Sequence, residues 1–254
     1  MSYFFLSVRS VYSVRNSKFL FYFVFFSVLL FFVIPPIGAV FFVERQEAFV
    51  AHYPVSVFLN AGIAFLIYYF SQKRAVLFSE MPLCSEKKPF FVYLSAASVS
   101  FGVLCLSSVV FEILSVVMGS ESGIQQVLFP SGALGAMNFI LGVCAAAFFE
   151  EVIYRFFLPS AFLEILTRRL LRKSVSCNSD KSAGNRRLWL FCEGISVLLF
   201  AAGHLYLGVF GFLNALVCGI ALRVCMKKTE SLWIPFGVHT AYNFFAFAMM
   251  RFLG

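Results

Sequence analysis

The stretch LGAMNFILGVCAAAFFEEVIYRFFLPS, residues 134–160, decides how this chain is read. From Leu134 to Phe149 it carries no charge, and then Glu150, Glu151 and Arg155 follow inside sequence that stays apolar to Leu158. An ionised group without a partner in hydrocarbon costs several kcal/mol, so two carboxylates placed there ask for a function. The rest of the chain has the same character. Of its 254 residues 61% are hydrophobic and 13% charged, against roughly 45–50% and ~25% in a soluble domain. The composition predicts a single integral membrane domain over residues 1–254, with no soluble domain standing apart.

A crossing needs about 20 apolar residues, and the chain offers about seven such segments. The first three run from Phe19 to Val43 with a bend at Pro35-Pro36, from Pro54 to Phe70, and from Phe90 to Val117. The fourth begins at Leu134, and its apolar pattern continues to Leu171. That is roughly 55 Å of helix, too long for one crossing. Pro159 is the expected break. Beyond it Ser160 to Lys173 mixes Phe162, Ile165 and Leu166 with Arg168, Arg169, Arg172 and Lys173, the pattern of a helix lying on the membrane surface. Ser174 to Arg187 reads as a loop. Gly194 to Val224 is short for two full crossings and reads as two short or tilted spans, with Gly208 and Gly211 offering the break. The last span starts near Trp233 and ends at Arg251. The expected fold is thus all-α, a multi-pass transmembrane helical bundle with a surface helix after the fourth span.

The net charge of +8 sits just outside the apolar runs, without the aromatic interleaving of a nucleic-acid groove. Lys and Arg gather on one set of loops, with Arg45 and Arg251 on the other, which places the amino terminus in the cytoplasm. The run after Lys18 is longer than a signal peptide's apolar core and lacks a cleavage site, so it reads as an uncleaved span. Seven cysteines scattered through apolar segments, with no CxxC pair, read as packing thiols.

Adjacent helical positions diverge by about 100°, so Glu150 and Glu151 are expected to have separate jobs. Arg155 follows Glu151 by four residues, the favourable order for a same-face ion pair. Glu151 and Arg155 are therefore assigned a supporting role, and Glu150 is left to face a cavity as a general base. His204 and His239 also lie in apolar stretches, and Asn243 shares a face with His239 one turn on. An imidazole and an amide presented together can donate to a developing oxyanion, while His204 could hold the water that Glu150 deprotonates. Glu150, His204, His239 and Asn243 are the candidate catalytic residues. Glu150, His204 and His239 could instead bind a divalent metal such as zinc, although no HExxH is present. Ser79, Ser107 and Ser120 have no His or Asp nearby for a serine mechanism. Asp180 lies in the basic loop, which disfavours an aspartyl one. His52 reads as solvated and Glu112 as interfacial.

Three of these stretches, Glu150-Glu151-Val-Ile-Tyr-Arg155, Phe200-Ala-Ala-Gly-His204 and His239-Thr-Ala-Tyr-Asn243, resemble in order and separation the EExxxR, FxxxH and HxxxN motifs of the CAAX-processing and bacteriocin-processing (CPBP) intramembrane proteases, relatives of the type II CAAX prenyl endopeptidases. The lead-in from Thr229 through Ser231, Trp233 and Pro235 looks like the one the family places before its third motif. The resemblance covers a catalytic core over residues 134–247; residues 1–133 are N-terminal spans too generic to assign. It implies hydrolysis of a peptide bond in or at the edge of the membrane, with Glu150 and His204 activating water and His239 and Asn243 stabilising the oxyanion. The implied partners are membrane lipids and a protein or peptide substrate, lipidated in the CAAX case, with no nucleic acid. The implied location is a bacterial plasma membrane, or the endoplasmic reticulum if the chain is eukaryotic. A non-catalytic binding or immunity protein on the same scaffold is the alternative from another class, and a proton-coupled carrier is a third.

Overall fold

The computed structural model describes residues 19–38, 48–50, 52–74, 88–119, 126–173 and 181–253. The basic segment before Phe19, Arg45, Ser79, Ser120, Asp180, Cys84, Cys177 and the first half of the loop expected at Ser174 to Arg187 lie outside the described residues; from Lys181 the chain is already helical.

Among the described residues four helices are long and apolar enough to cross a membrane: α1 (Phe19–Gly38), α3 (Phe90–Val117), the segment Gly132–Thr167, and Leu205–Thr229. With α2 (Val55–Arg74), α6 (Lys181–Ala202) and α8 (Trp233–Leu253) the described residues form seven helical segments, of which those four, not all of the about seven expected, have the length and apolar character of a span. The protein is a helical membrane bundle. Its outward faces are apolar: on α1, Phe19, Phe23, Phe26 and Leu30 are exposed, while Phe21, Phe25 and Val28 one turn apart are buried. That inward stripe has helical spacing and packs against the fourth span, with Phe25 edge-on to Phe162 and Phe32 edge-on to Phe149. A parallel pair of three-residue strands, β1 (Ala48–Val50) and β2 (Gln126–Leu128), joins two connections, with Phe49 opposite Val127.

The fourth span does not break at Pro159. Helix α4 (Gly132–Glu150) runs through a π-helical stretch, Glu151–Phe157, straight into α5 (Leu158–Lys173). The π-helical residues are buried on every side, at the centre of a core that draws Phe21 and Phe25 from α1, Ala64 and Ile67 from α2, and Phe200 and Ala201 from α6. Enclosure by protein at this stretch lets the backbone depart from α-helical register without exposing unpaired polar groups to hydrocarbon. The π turn ends two residues before Pro159, in the stretch whose carbonyls the proline ring would crowd.

The break expected between the fifth and sixth spans is present. Helix α6 ends at Ala202, a short 3-10 turn covers Leu205–Leu207, and α7 (Gly208–Thr229) begins on Gly208 at φ 83° and ψ −177°, a backbone region open to glycine alone. Helix α7 packs chiefly on α3, and also on α6 and α8. At its far end Glu230 takes a left-handed conformation, and its carboxylate pairs with Lys88 before α3 at 2.9 Å.

Candidate active site

The π-helical stretch, α6 and α8 bring the site together. His239 of α8 is buried, and its two ring nitrogens face the two neighbouring glutamates. Glu151 Oε1 lies 2.8 Å from His239 Nδ1, and Glu150 Oε2 lies 3.7 Å from Nε2. The carboxylates diverge along their helix as expected, yet they approach opposite edges of one imidazole. Glu151 also pairs with Arg155, Nη1 to Oε1 at 3.4 Å, with both side chains excluded from solvent. Glu150 retains about a quarter of its exposure, at 27%. One carboxylate is therefore locked inside the protein and the other is open to a small molecule.

Phe200 holds the remaining parts in place. The Arg155 guanidinium carbon sits 3.8 Å above its ring centroid, a cation–π contact whose strength grows when desolvated. The His204 ring lies 4.7 Å away and the His239 ring 6.3 Å, edge-on. His204 Nδ1 is 2.9 Å from the Phe200 carbonyl, which makes Nδ1 the protonated nitrogen and leaves Nε2 as a lone-pair acceptor. The FxxxH spacing thus has a physical job: the phenyl ring spaces two imidazoles and a guanidinium, and its own carbonyl sets the tautomer of His204. Asn243 is half-buried one turn beyond His239, and its side chain makes no hydrogen bond among the described residues. The structure thus brings Glu150, Glu151, Arg155 and His239 into contact, joins His204 to them through Phe200, and leaves Asn243 on the same helix face without a partner.

Residues outside the motifs complete the surroundings. Tyr53, just before α2, is clamped by Asn138 of α4, which accepts from its N–H at 2.8 Å and donates to its carbonyl at 3.0 Å. The Tyr53 ring rests on Gly142, where any Cβ would collide with it. Its phenol is pushed up to about 12, first by burial, then by the negative charge of Glu150 and by Tyr206. An asparagine and a glycine inside an apolar span were the visible signals of this contact. Elsewhere Ser107, Ser108, Asn214 and Tyr242 form a neutral cluster between α3, α7 and α8. The Asn214 amide accepts from Ser107 at 2.6 Å and donates to Ser108 at 3.1 Å, while Ser108 and Tyr242 hydrogen-bond to each other. Ser107 does have polar neighbours, and they are neither His nor Asp.

The donor set does not assemble for a metal. Among the described residues no three His, Cys, Asp or Glu side chains gather at ligand spacing; His239 Nδ1 is taken by Glu151, and His204 stands beyond Phe200. Glu150, His204 and His239 do not fit a zinc site in this arrangement.

The site is thus a buried carboxylate–imidazole–guanidinium cluster that opens on a second carboxylate within a helical membrane bundle. Residues 132–245 match the family model described as type II CAAX prenyl endopeptidase Rce1-like. This segment is an Rce1-like domain, consistent with the CPBP membrane proteases. The match covers 114 of the 254 residues, and the family it describes is that of the type II CAAX prenyl endopeptidases. No curated protein and no solved structure matches the chain.

Proposed function

We propose that this protein hydrolyses a peptide bond of a membrane-associated protein using a water activated by Glu150. The observation that carries the reading is the grip of two adjacent glutamates on the two nitrogens of His239, with Glu151 buried and Glu150 open. Glu151 accepts a hydrogen bond from Nδ1–H and holds the ring with Nε2 turned to the open side. A carboxylate in that position orients an imidazole and stabilises it once both nitrogens are protonated, as the aspartate of a Ser-His-Asp triad does. His239 would then donate from Nε2 to the oxyanion, with Asn243 one turn away as the second donor. Glu150 takes the proton of the attacking water and passes it to the leaving amine. His204, with Nε2 as acceptor, holds that water from the other side. One water is consumed: its first proton passes through Glu150 to the leaving nitrogen, its second goes to the amine as the new carboxyl ionises, and a carboxylate and an ammonium are released.

The substrate proposed is the carboxyl-terminal region of a CAAX-type, lipidated chain, or a membrane-associated protein undergoing maturation or immunity processing. The site would open towards the cytoplasm, with the amino terminus on that side, in a bacterial plasma membrane or, in a eukaryote, the endoplasmic reticulum. The test is cleavage of a farnesylated CAAX peptide and of its unmodified form by the purified full chain in nanodiscs. Wild type is expected to cleave, and Glu150→Ala to lose at least ~100-fold in rate while still binding the peptide. Equal behaviour of wild type and variant, with binding but no cleavage by either, would replace the protease with the binding or immunity protein.

A further inference from the structure

Pro159 has no N–H, so in the helix it cannot serve the carbonyl of Arg155 four residues earlier. That carbonyl belongs to the residue whose side chain pairs with Glu151, and it is buried. A buried backbone acceptor needs a partner. Arg223 of α7 supplies one: its Nη1 donates to the Arg155 carbonyl at 2.5 Å. The other arm of the same guanidinium, Nη2, donates to Glu193 Oε1 of α6 at 2.7 Å. Glu193 Oε2 in turn accepts from Lys227 at 3.1 Å, and Trp189 covers the guanidinium with its ring 5.5 Å away. Both Arg223 and Glu193 are buried, with 9% and 8% of their side chains exposed. Two buried charges are costly to place in a bundle core, and a fork that fits both a carboxylate and a carbonyl is a use to which lysine is poorly suited.

We infer that Arg223, held by Glu193, is a positioning residue that sets His239 through the Arg155 carbonyl. The contacts run without a gap. Arg223 holds the Arg155 main chain, the Arg155 guanidinium meets Glu151 at 3.4 Å, and Glu151 holds His239 Nδ1 at 2.8 Å. The π-helical stretch makes this hold necessary, because its wider register leaves the backbone around Arg155 without the rigid i to i+4 ladder of an α-helix. Arg223 touches no reacting atom. The effect on catalysis rests on the hydrolytic reading above, whereas the effect on His239 does not.

The chain has only three histidines, His52, His204 and His239, which makes the imidazole nitrogens readable by NMR of the histidine-labelled full chain in nanodiscs. His239→Asn assigns its signals. The variant is Arg223→Gln with Glu193→Gln, which removes both charges and leaves neither naked. It is expected to shift the His239 Nδ1 resonance, leave His52 unmoved, and lower kcat roughly 10-fold with KM within about twofold. Lys227→Gln, which loses a contact to Glu193 alone, is expected to move neither the resonance nor the rate. Pro159→Ala, added to the double variant, returns an N–H beneath the Arg155 carbonyl and is expected to restore part of both. If the double variant fails to fold, Arg223→Lys supplies the same two readouts with the charge kept and the fork lost. A folded Arg223 variant whose His239 resonance stays where it was overturns the inference, whatever its rate. A shifted resonance in a protein whose wild type cleaves neither peptide upholds the inference and removes the hydrolytic reading instead.

Discussion

Two polar clusters lie inside the same apolar bundle and are built on opposite plans. The cluster of Ser107, Ser108, Asn214 and Tyr242 is neutral, and the Asn214 amide is engaged on both its oxygen and its nitrogen. The cluster of Glu150, Glu151, Arg155 and His239 is charged, and Glu151 Oε2 and both Arg155 Nη atoms have no hydrogen-bond partner among the described residues. A satisfied neutral network holds helices in register at little cost. Charges left short of partners in a core are a standing cost, one that packing alone would have removed by hydrophobic substitution. The contrast separates a cluster whose polar groups are satisfied from the charged one to which the proposed chemistry is assigned.

Substitutions in each cluster should therefore read out differently. Glu150→Gln keeps the shape of the open carboxylate and removes its basicity, so peptide cleavage should fall by at least ~100-fold with the thermal midpoint unchanged; a loss of stability instead would make Glu150 a packing residue. Glu151→Ala leaves Arg155 buried without its counter-charge and is expected to destabilise by about 3–5 kcal/mol, measured by denaturant titration in mixed micelles. A tolerated Glu151→Ala would erase the distinction between the clusters. Gly142→Ala drives a methyl into the Tyr53 ring and should cost about 1–3 kcal/mol, with Tyr53 fluorescence as the local probe. Asn214→Ala should cost only about 1 kcal/mol and leave the cleavage rate of the folded fraction intact, the signature of a structural cluster. Lys88→Gln breaks a partly exposed pair with Glu230 and should stay within about 0.5 kcal/mol.

The helices were legible because each has to supply its own apolar length, and Phe19, Phe90, Leu134 and Trp233 mark their starts in plain sight. The turn at Gly208 was legible for a similar reason, since two spans had to share too few apolar residues. Pro159 misled because its effect depends on surroundings: enclosed by α1, α2 and α6, a π turn absorbs what would end a lipid-exposed helix. The Glu151–Arg155 spacing is written within one helix turn, whereas the bond from Glu151 to His239 joins residues 88 apart in the chain. Helical periodicity shows which face a residue occupies and is silent on which ring nitrogen it meets. Glu193 and Arg223 lie at the edges of the apolar run Gly194 to Val224, where a charge looks the same in sequence whether it faces water or a neighbouring helix. Only their burial and mutual contact tell the two apart.

Direct attack by water beside Glu150 is the claim on which the rest depends, and it is best tested by a single turnover of the farnesylated CAAX peptide in water enriched with oxygen-18, followed by mass spectrometry of both peptide and protein. The expected result is one heavy oxygen in the newly formed peptide carboxylate and no label or acyl adduct on any protein side chain. Label appearing in the Glu150 carboxylate, or a peptide acyl group trapped on the protein, would show a covalent route and contradict the account.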